Sequence, residues 1–449
     1  MFENKKVLIL GLARSGIAAA KFLSKRGCSI TINDKKTSED KEILEELKSL
    51  GVKVILGSHP DNLITKDLDY LIKNPGVPID HKYVLKAKEL GISVINEVEM
   101  AYLCLPKDKN IKILAITGSN GKTTTTTLCY NFLKEDKKEV ILAGNIGYPL
   151  CSFVDNIKPN TIIVMETSCQ QLENLDKFNP DVAIMTNITE AHIDFMKTYE
   201  HYKYVKSKLI KNQTKDDVAI LNKENKELLS AVKNAQSTKK YFSSKEKING
   251  AYIDNNKIYY YDEEIIDLKD IKLRGVHNYE NIMAAVMGVK EFNCSTKSIV
   301  KVLKEFTGVE HRLEFVGNIN GRIFYNDTEA TNIKCTQIAL ASFTEPTIIL
   351  LGGLERGQKF EDLKPYSKNI KAVIGMGECR ERVRDFGKSI NVPTYIYDYI
   401  DKATEKAYEI SSTGDVILLS PGSASWDQFK QCEDRGTLFK KIVKSFENK

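Results

Sequence analysis

Short apolar runs alternate with longer amphipathic stretches from one end of this chain to the other, and few folds admit that alternation. The runs are Lys6–Leu10, Ser29–Asn33, Lys53–Leu56, Tyr70–Ile72, Lys112–Thr117, Thr161–Met165, Asp181–Thr186, Thr347–Leu351, Ala372–Ile374 and Val416–Leu419. Strands that alternate with helices build βαβ units, hence mostly parallel sheets covered by helices on both faces, with ligands gathered at the strand C-termini. At 449 residues the chain exceeds what one core accommodates, and three α/β domains are expected. The first pattern fades near Asn96 and a fresh strand starts at Lys112. A helix over 277–292 gives way to a hairpin over 313–325. These breaks place one α/β domain at 1–97, a central one at 98–307 and a third at 308–449. Between Ile220 and Leu273 short strands with Asn/Gly turns read as an accessory part of the middle domain.

Composition narrows the function classes. Lys and Arg number 66 against 60 Asp and Glu, a net charge of +6 with no long block of one sign, which argues against a nucleic-acid partner. Nine scattered cysteines without a CxxC pair suggest reduced thiols rather than zinc or disulfides. Gly11 and Gly16 break the N-terminal apolar run early, and no stretch approaches the about 18 apolar residues of a membrane helix. A cytoplasmic protein without membrane segments is the expectation.

The strand Lys112–Thr117 runs directly into Gly118-Ser119-Asn120-Gly121-Lys122-Thr123-Thr124 and then a helix. Glycines there let consecutive N–H groups and the positive end of the helix dipole face a phosphate. Lys122 adds a full charge and Thr123 a hydroxyl for Mg²⁺. ATP is the ligand this implies. Glu166 ends the strand 161–165 and His192 follows the strand 181–186, so both are expected at strand tips in the same sheet. A carboxylate, a threonine hydroxyl and phosphate oxygens suit Mg²⁺; a histidine ligand is less typical. Nearer the N-terminus, Gly11-x-Ala13-x-x-Gly16 after a strand, with Asp34 closing the next one, is a near match to a dinucleotide fingerprint that cradles the diphosphate of a sugar nucleotide.

Read in order, TGSNGKTT at 117–124, Gly144-Asn145-Ile146-Gly147, Met165-Glu166-Thr167-Ser168, Thr186 to His192, Gly275 to Asn281, His311-Arg312, Asp327 to Asn332 and Ser420-Pro421 resemble the Mur ligases over the whole chain. Gly11 to Gly16, Asn74-Pro75-Gly76, Gly352-Gly353 and Ser425 to Phe429 resemble the members that add D-glutamate to UDP-N-acetylmuramoyl-L-alanine. The resemblance implies a monomeric ATP- and Mg²⁺-dependent ligase of peptidoglycan precursor synthesis, with a Rossmann-like N-terminal domain for the UDP-sugar, a central P-loop ATPase-type domain whose mostly parallel sheet has helices on both faces, and a Rossmann-like α/β C-terminal domain that swings with the amino acid. It implies that Gly118 to Thr124, Asn278, Asn281, Arg312 and Asp327 hold ATP. Leu12, Ala13, Arg14, Ser15, Asp34, Lys35, Gly76, Asn145 and Ser168 face the UDP-sugar, and Thr331, Arg356 and Ser425 face the amino acid. Lys122, Glu166, His192 and Lys206 are the implied catalytic residues; Thr123, Glu166, His192 and Lys206, the last as a carbamate, are the implied metal ligands.

Three positions depart from the family pattern: Glu329 where a lysine is usual, Gly422-Ser423 where Ala-Cys is usual, and Cys432 in place of an aromatic. An acid for a base reverses a local attraction. Lys334 or Lys359 is then the expected compensating cation, and Glu329→Lys is expected to raise turnover. Open alternatives are a related ligase with another acceptor and a catalytically impaired paralogue that binds nucleotide. A folylpolyglutamate synthase is disfavoured, because it lacks the N-terminal UDP-type domain.

Overall fold

The computed structural model describes residues 2–38, 40–273 and 275–448. They form three sheets. The first carries β1 (Lys6–Leu10), β2 (Ser29–Asp34), β3 (Lys53–Leu56), β4 (Tyr70–Lys73) and β5 (Ser93–Ile95), all parallel, in the order β3-β2-β1-β4-β5. The second has β6 (Lys112–Thr117), β7 (Val140–Gly144), β8 (Ile162–Glu166), β9 (Val182–Met185), β10 (Val218–Asn222), β11 (Thr238–Ser243), β12 (Gly250–Asp254), β13 (Lys257–Tyr260) and β14 (Glu263–Asp267), in the order β14-β13-β12-β11-β10-β9-β6-β8-β7. The third has β15 (Glu314–Ile319), β16 (Arg322–Asn326), β17 (Thr347–Gly352), β18 (Ile370–Met376), β19 (Thr394–Tyr397) and β20 (Val416–Leu419), in the order β15-β16-β20-β17-β18-β19.

Strands β6, β8, β9, β17 and β20 are near-continuous apolar runs with almost every residue buried, as expected of parallel strands covered on both faces. Within each sheet the chain order reverses beside one strand: at β1 and β4 in the first, around β6 in the second, and among β16, β20 and β17 in the third. Loops diverge there and leave a crevice at the strand C-termini.

As far as Asp267 the segment read as an accessory part of the middle domain is built into the middle sheet. Strand β12 pairs in parallel with β11, and β13 and β14 follow as an antiparallel meander, so the whole stretch extends the second sheet. The contact pattern divides the chain into two compact units, one running to Asp267 and including Glu280–Val302, the other made of Leu268–Tyr279 and the chain from Leu303. Among the described residues no helix is long and apolar enough to cross a membrane.

Where the sequence suggests a break, at 97–110, the first unit has the helix Glu97–Leu103, with Val98, Met100 and Ala101 inside a core shared by the first two sheets. Its acids hold the second sheet's loops. Buried Glu99 accepts three backbone N–H groups, from Asp176, Lys177 and Phe178, at 3.0, 2.7 and 3.2 Å. Glu97 accepts from Cys151 N at 2.6 Å, and burial pushes its carboxyl up to about 7. Removing the Glu99 carboxylate strands three amides in a dry environment. Glu99→Ala should therefore destabilise the chain by about 3 kcal/mol, read as a lower midpoint of urea unfolding; an unmoved midpoint would show that water replaces the carboxylate.

Candidate active site

The glycine-rich turn after β6 is shaped by its neighbours. Gly118 has φ +157° and a Cβ on it would lie 1.9 Å from Thr186 Oγ1; Gly121 has φ +81° and a Cβ there would lie 2.1 Å from Asn281 Oδ1. Both approaches exclude any larger residue. Asn187 holds the turn from the next strand end: its carbonyl accepts Ser119 N at 2.9 Å and its side-chain oxygen accepts Asn120 N at 3.0 Å. Ser119 Oγ donates to Thr189 O at 2.9 Å, and Lys122 Nζ donates to Ser119 O at 3.0 Å. With the Ser119 and Asn120 amides so used, the donors that face an anion are those of the first turn of the helix Lys122–Glu135. That turn includes Thr123 and Thr124, and its N–H groups have no partner within the helix. Asn281 reaches this turn from the helix Val276–Lys290, which also carries buried Asn278.

Strands β8 and β9 flank β6, with Ile116 in register with Glu166 and Thr117 with Met185. Glu166 is buried; its Oε1 accepts Asn145 Nδ2 at 2.7 Å, and its Oε2 has no hydrogen-bond partner. Leaving a buried carboxylate oxygen unsatisfied costs about 1–3 kcal/mol, which an incoming cation or donor recovers. His192, beyond β9, is exposed and takes a left-handed backbone, φ 54°, rare for a non-glycine residue. Its ring lies 6.4 Å from that of Tyr202, whose hydroxyl is 2.8 Å from Ser119 Oγ.

Lys206 lies on the buried face of the helix Tyr199–Ser207, in line with Tyr202 and Val205. Only 1% of it is exposed. Its Nζ donates to Thr117 Oγ1 at 3.0 Å and Gly118 O at 2.9 Å, at the base of the glycine turn. Burial, and then the charge of Lys122, push its amine down to about 7. Among the described residues no three His, Cys, Asp or Glu side chains gather to hold a metal by themselves.

In the first sheet, Gly11 has φ +110° and faces Asn74, so the loops after β1 and β4 touch. Asp34 braces that turn: its carboxylate accepts Leu12 N at 2.8 Å and Lys36 N at 2.9 Å. Ala13 caps the helix Arg14–Ser24, whose first turn holds Ser15. Lys35 and Gly76 stand exposed at the neighbouring strand ends. Arg14 reaches the loop after β7, donating to Asn145 O and Gly147 O at 3.4 Å each. Ser168 caps a short helix, its Oγ accepting Gln171 N at 3.3 Å. Missed in the sequence is Lys73, wholly buried beside these loops and pushed down to about 8 by desolvation.

In the second unit Thr331 follows β16, Arg356 follows β17 and Ser425 follows β20, all at the C-terminal ends of adjacent strands. Asp327 is buried; its oxygens accept Ser420 Oγ at 2.8 Å and Leu313 N at 3.1 Å, and desolvation pushes it up to about 7. The cation on Glu329 is neither Lys334 nor Lys359 but Arg312, whose Nε donates to Oε2 at 3.1 Å. A lysine at 329 would set two cations together, which reverses the expected gain from Glu329→Lys. The sequence also gave no sign of Arg435. Its buried guanidinium donates to Thr328 Oγ1 and Thr328 O at 3.0 Å, Ser423 O at 3.1 Å and Gly352 O at 3.4 Å, tying all three strand ends together.

The Mur ligase middle domain matches residues 116–289, and the N-terminal domain of MurD-like Mur ligases matches residues 5–96. The UDP-N-acetylmuramoylalanine–D-glutamate ligase of Geobacillus sp. (strain WCH70) is 43% identical over 441 residues, covering 98% of this chain and 97% of its own. That of Bacillus cereus (strain AH187) is 41% identical over 444 residues, covering 98% of each. Among solved structures, UDP-N-acetylmuramate-alanine ligase MurC from Thermotoga maritima superposes with a TM-score of 0.59 at 17% identity, covering 98% of this chain and 99% of its own. MurF ligase from the same organism, in complex with ADP, gives 0.59 at 16%, covering 99% and 95%. Full-length likeness to the D-glutamate ligases and a shared architecture lead to one assignment: the chain belongs to the Mur ligase family.

Proposed function

We propose that this chain is the ATP-dependent ligase that joins D-glutamate to UDP-N-acetylmuramoyl-L-alanine, in the cytoplasm, as a step of peptidoglycan precursor synthesis. The observation that carries the reading is the convergence around the glycine turn of Lys122, the unpartnered Glu166 oxygen and the buried Lys206 amine, from two helices and one strand. The domain roles follow, with the UDP-sugar on 1–97, ATP on 98–307 and the amino acid on 308–449.

In the first step the substrate carboxylate attacks the γ-phosphorus of ATP; ADP leaves and an acyl phosphate forms. In the second the amine of D-glutamate attacks the acyl carbon, phosphate leaves, and the amine gives up a proton. Such transfers depend on positioning and charge neutralisation. Lys122 and the amides that open its helix bind the phosphates, and Asn281 reaches the same turn; Asn278, Arg312 and Asp327 are kept as nucleotide residues on the family pattern. Arg14, the glycine loop after β1 and Asn145 orient the UDP-sugar. Thr123, Glu166, His192 and carbamylated Lys206 would hold Mg²⁺, which supplies charge neutralisation at the transferring phosphoryl group; the orphaned Glu166 oxygen and the threonine hydroxyl suit a hard cation that takes its remaining ligands from phosphate and water. Lys206 forms its carbamate by attack of the neutral amine on CO₂, with loss of one proton.

Phosphate release should require ATP, UDP-N-acetylmuramoyl-L-alanine and D-glutamate together. A panel of amino acids in which another acceptor wins, or none works, would refute the reading. Lys122→Ala should lower kcat by about 10²–10³. Lys206→Arg puts a permanently protonated guanidinium where the amine must lose its proton and take up CO₂, and activity should fall by a similar factor of about 10²–10³. Because the Lys206 amine is depressed to about 7, wild-type activity should rise with pH through that value. Added bicarbonate should restore activity on the acid side; a flat profile there would remove Lys206 from the reaction. Glu329→Lys should lower turnover and raise the KM for ATP, whereas a gain would show that the Arg312 pair is dispensable.

A further inference from the structure

Two exposed side chains meet on the crevice face of the second unit. The Arg356 guanidinium, from the loop after β17, lies over the ring of Trp426, from the loop after β20, with its carbon 5.0 Å from the ring centroid. The backbones of these loops are joined as well, since Leu354 N donates to Ala424 O at 2.9 Å. Trp426 is 62% exposed, the most exposed large aromatic of this unit apart from Tyr399, and it is the only tryptophan in the chain. No ion pair to Arg356 occurs among the described residues; the neighbouring Glu355 goes instead to Arg382, at 2.7 Å. Next to Trp426, Ser425 is 1% exposed and its Oγ has no hydrogen-bond partner. An aromatic left in water, a cation without an anion and a buried hydroxyl without a partner thus occur within a few residues of one another.

Stacking engages the face of a guanidinium and leaves its N–H donors, which lie in the plane, available for two parallel bonds to a carboxylate. An exposed arginine otherwise samples many rotamers, and binding an anion has to order it. We propose that Trp426 is a positioning residue for the acidic amino acid: it holds Arg356 flat so that the guanidinium edge receives the side-chain carboxylate, with the Ser425 hydroxyl engaged by the same ligand. The selection of a dicarboxylic acceptor over its neutral amide then depends on the indole as well as on the arginine. This rests on the D-glutamate reading above.

Steady-state kinetics on the full-length enzyme test it. Trp426→Leu should raise the KM for D-glutamate about two- to fivefold while leaving kcat and the KM for ATP near wild type, and Trp426→Phe should recover most of the loss. The preference for D-glutamate over D-glutamine should shrink in Trp426→Leu. Because the chain has one tryptophan, emission from the wild type reports this site: with UDP-N-acetylmuramoyl-L-alanine and a non-hydrolysable ATP analogue bound, D-glutamate should change it and D-glutamine should not. A Trp426→Leu enzyme with an unchanged KM for D-glutamate would overturn the proposal, as would emission indifferent to D-glutamate or an equal loss of ATP binding. A wild type that releases no phosphate with D-glutamate overturns the proposed function itself, and is told apart because it needs no variant.

Discussion

Burial of one primary amine sets the terms for the catalytic end of the first unit. Lys206 projects from an otherwise apolar helix face into the base of the glycine turn, where its acceptors are a hydroxyl and a carbonyl rather than a carboxylate. A charged ammonium there has lost its water and also faces the charge of Lys122 on the same turn, so the neutral form is well populated near pH 7. The folded-state value lies below that of the unfolded chain. Folding therefore releases a proton at neutral pH, and the contribution of this residue to stability grows as pH rises from about 7 towards the ordinary lysine value of 10.5. Stability is given up to keep a nucleophilic amine beside the phosphate turn, the kind of cost that marks a functional position.

The second unit solves the opposite problem. Its strand ends are tied by Arg435, which is buried against one hydroxyl and three carbonyls and is pushed down only to about 10, so it stays charged at neutral pH. Nearby Asp327 is pushed up to about 7 by burial, and Glu329 is matched by Arg312. At the exposed edge stands Arg356, for which no ion pair occurs among the described residues, and an exposed cation of this kind draws an anionic ligand before any contact is made.

Much of this was legible in the sequence. The strand-to-glycine transition at Thr117-Gly118, the strand tips at Glu166 and the alternation that fixes parallel sheets are local patterns, and local patterns are what spacing reports. Strands β12 to β14 were harder, because Asn/Gly turns look alike whether a meander stands apart or extends a sheet; only the pairing of Tyr241 to Ser243 with Gly250 to Tyr252 decides it. Arg435 was invisible for a similar reason. It sits in a charged helix start, Glu433-Asp434-Arg435, and its partners lie as far as 107 residues away. The compensation at Glu329 was sought in nearby lysines, yet the long, planar guanidinium of Arg312 reaches the carboxylate from across the β15 hairpin.

The glycine turns of the first unit and the exposed edge of the second also differ in how far they are built before any ligand arrives. Asn187 and Thr186 set the phosphate turn, the latter through a 2.6 Å bond to Asn120 O, while Asp34 sets the turn after β1. Each is held by several hydrogen bonds from buried or half-buried groups, so little binding energy goes into ordering it. Arg356 is held by an exposed cation–π contact worth about 0.5–1 kcal/mol. That exposed edge of the second unit is therefore the softer one, and the second unit is where the sequence departs from the family pattern, at Glu329, Gly422, Ser423 and Cys432. On the proposed reading, a fold whose glycine turns are locked and whose acceptor contacts rest on a few exposed side chains can change its acceptor preference without rebuilding the phosphate turn.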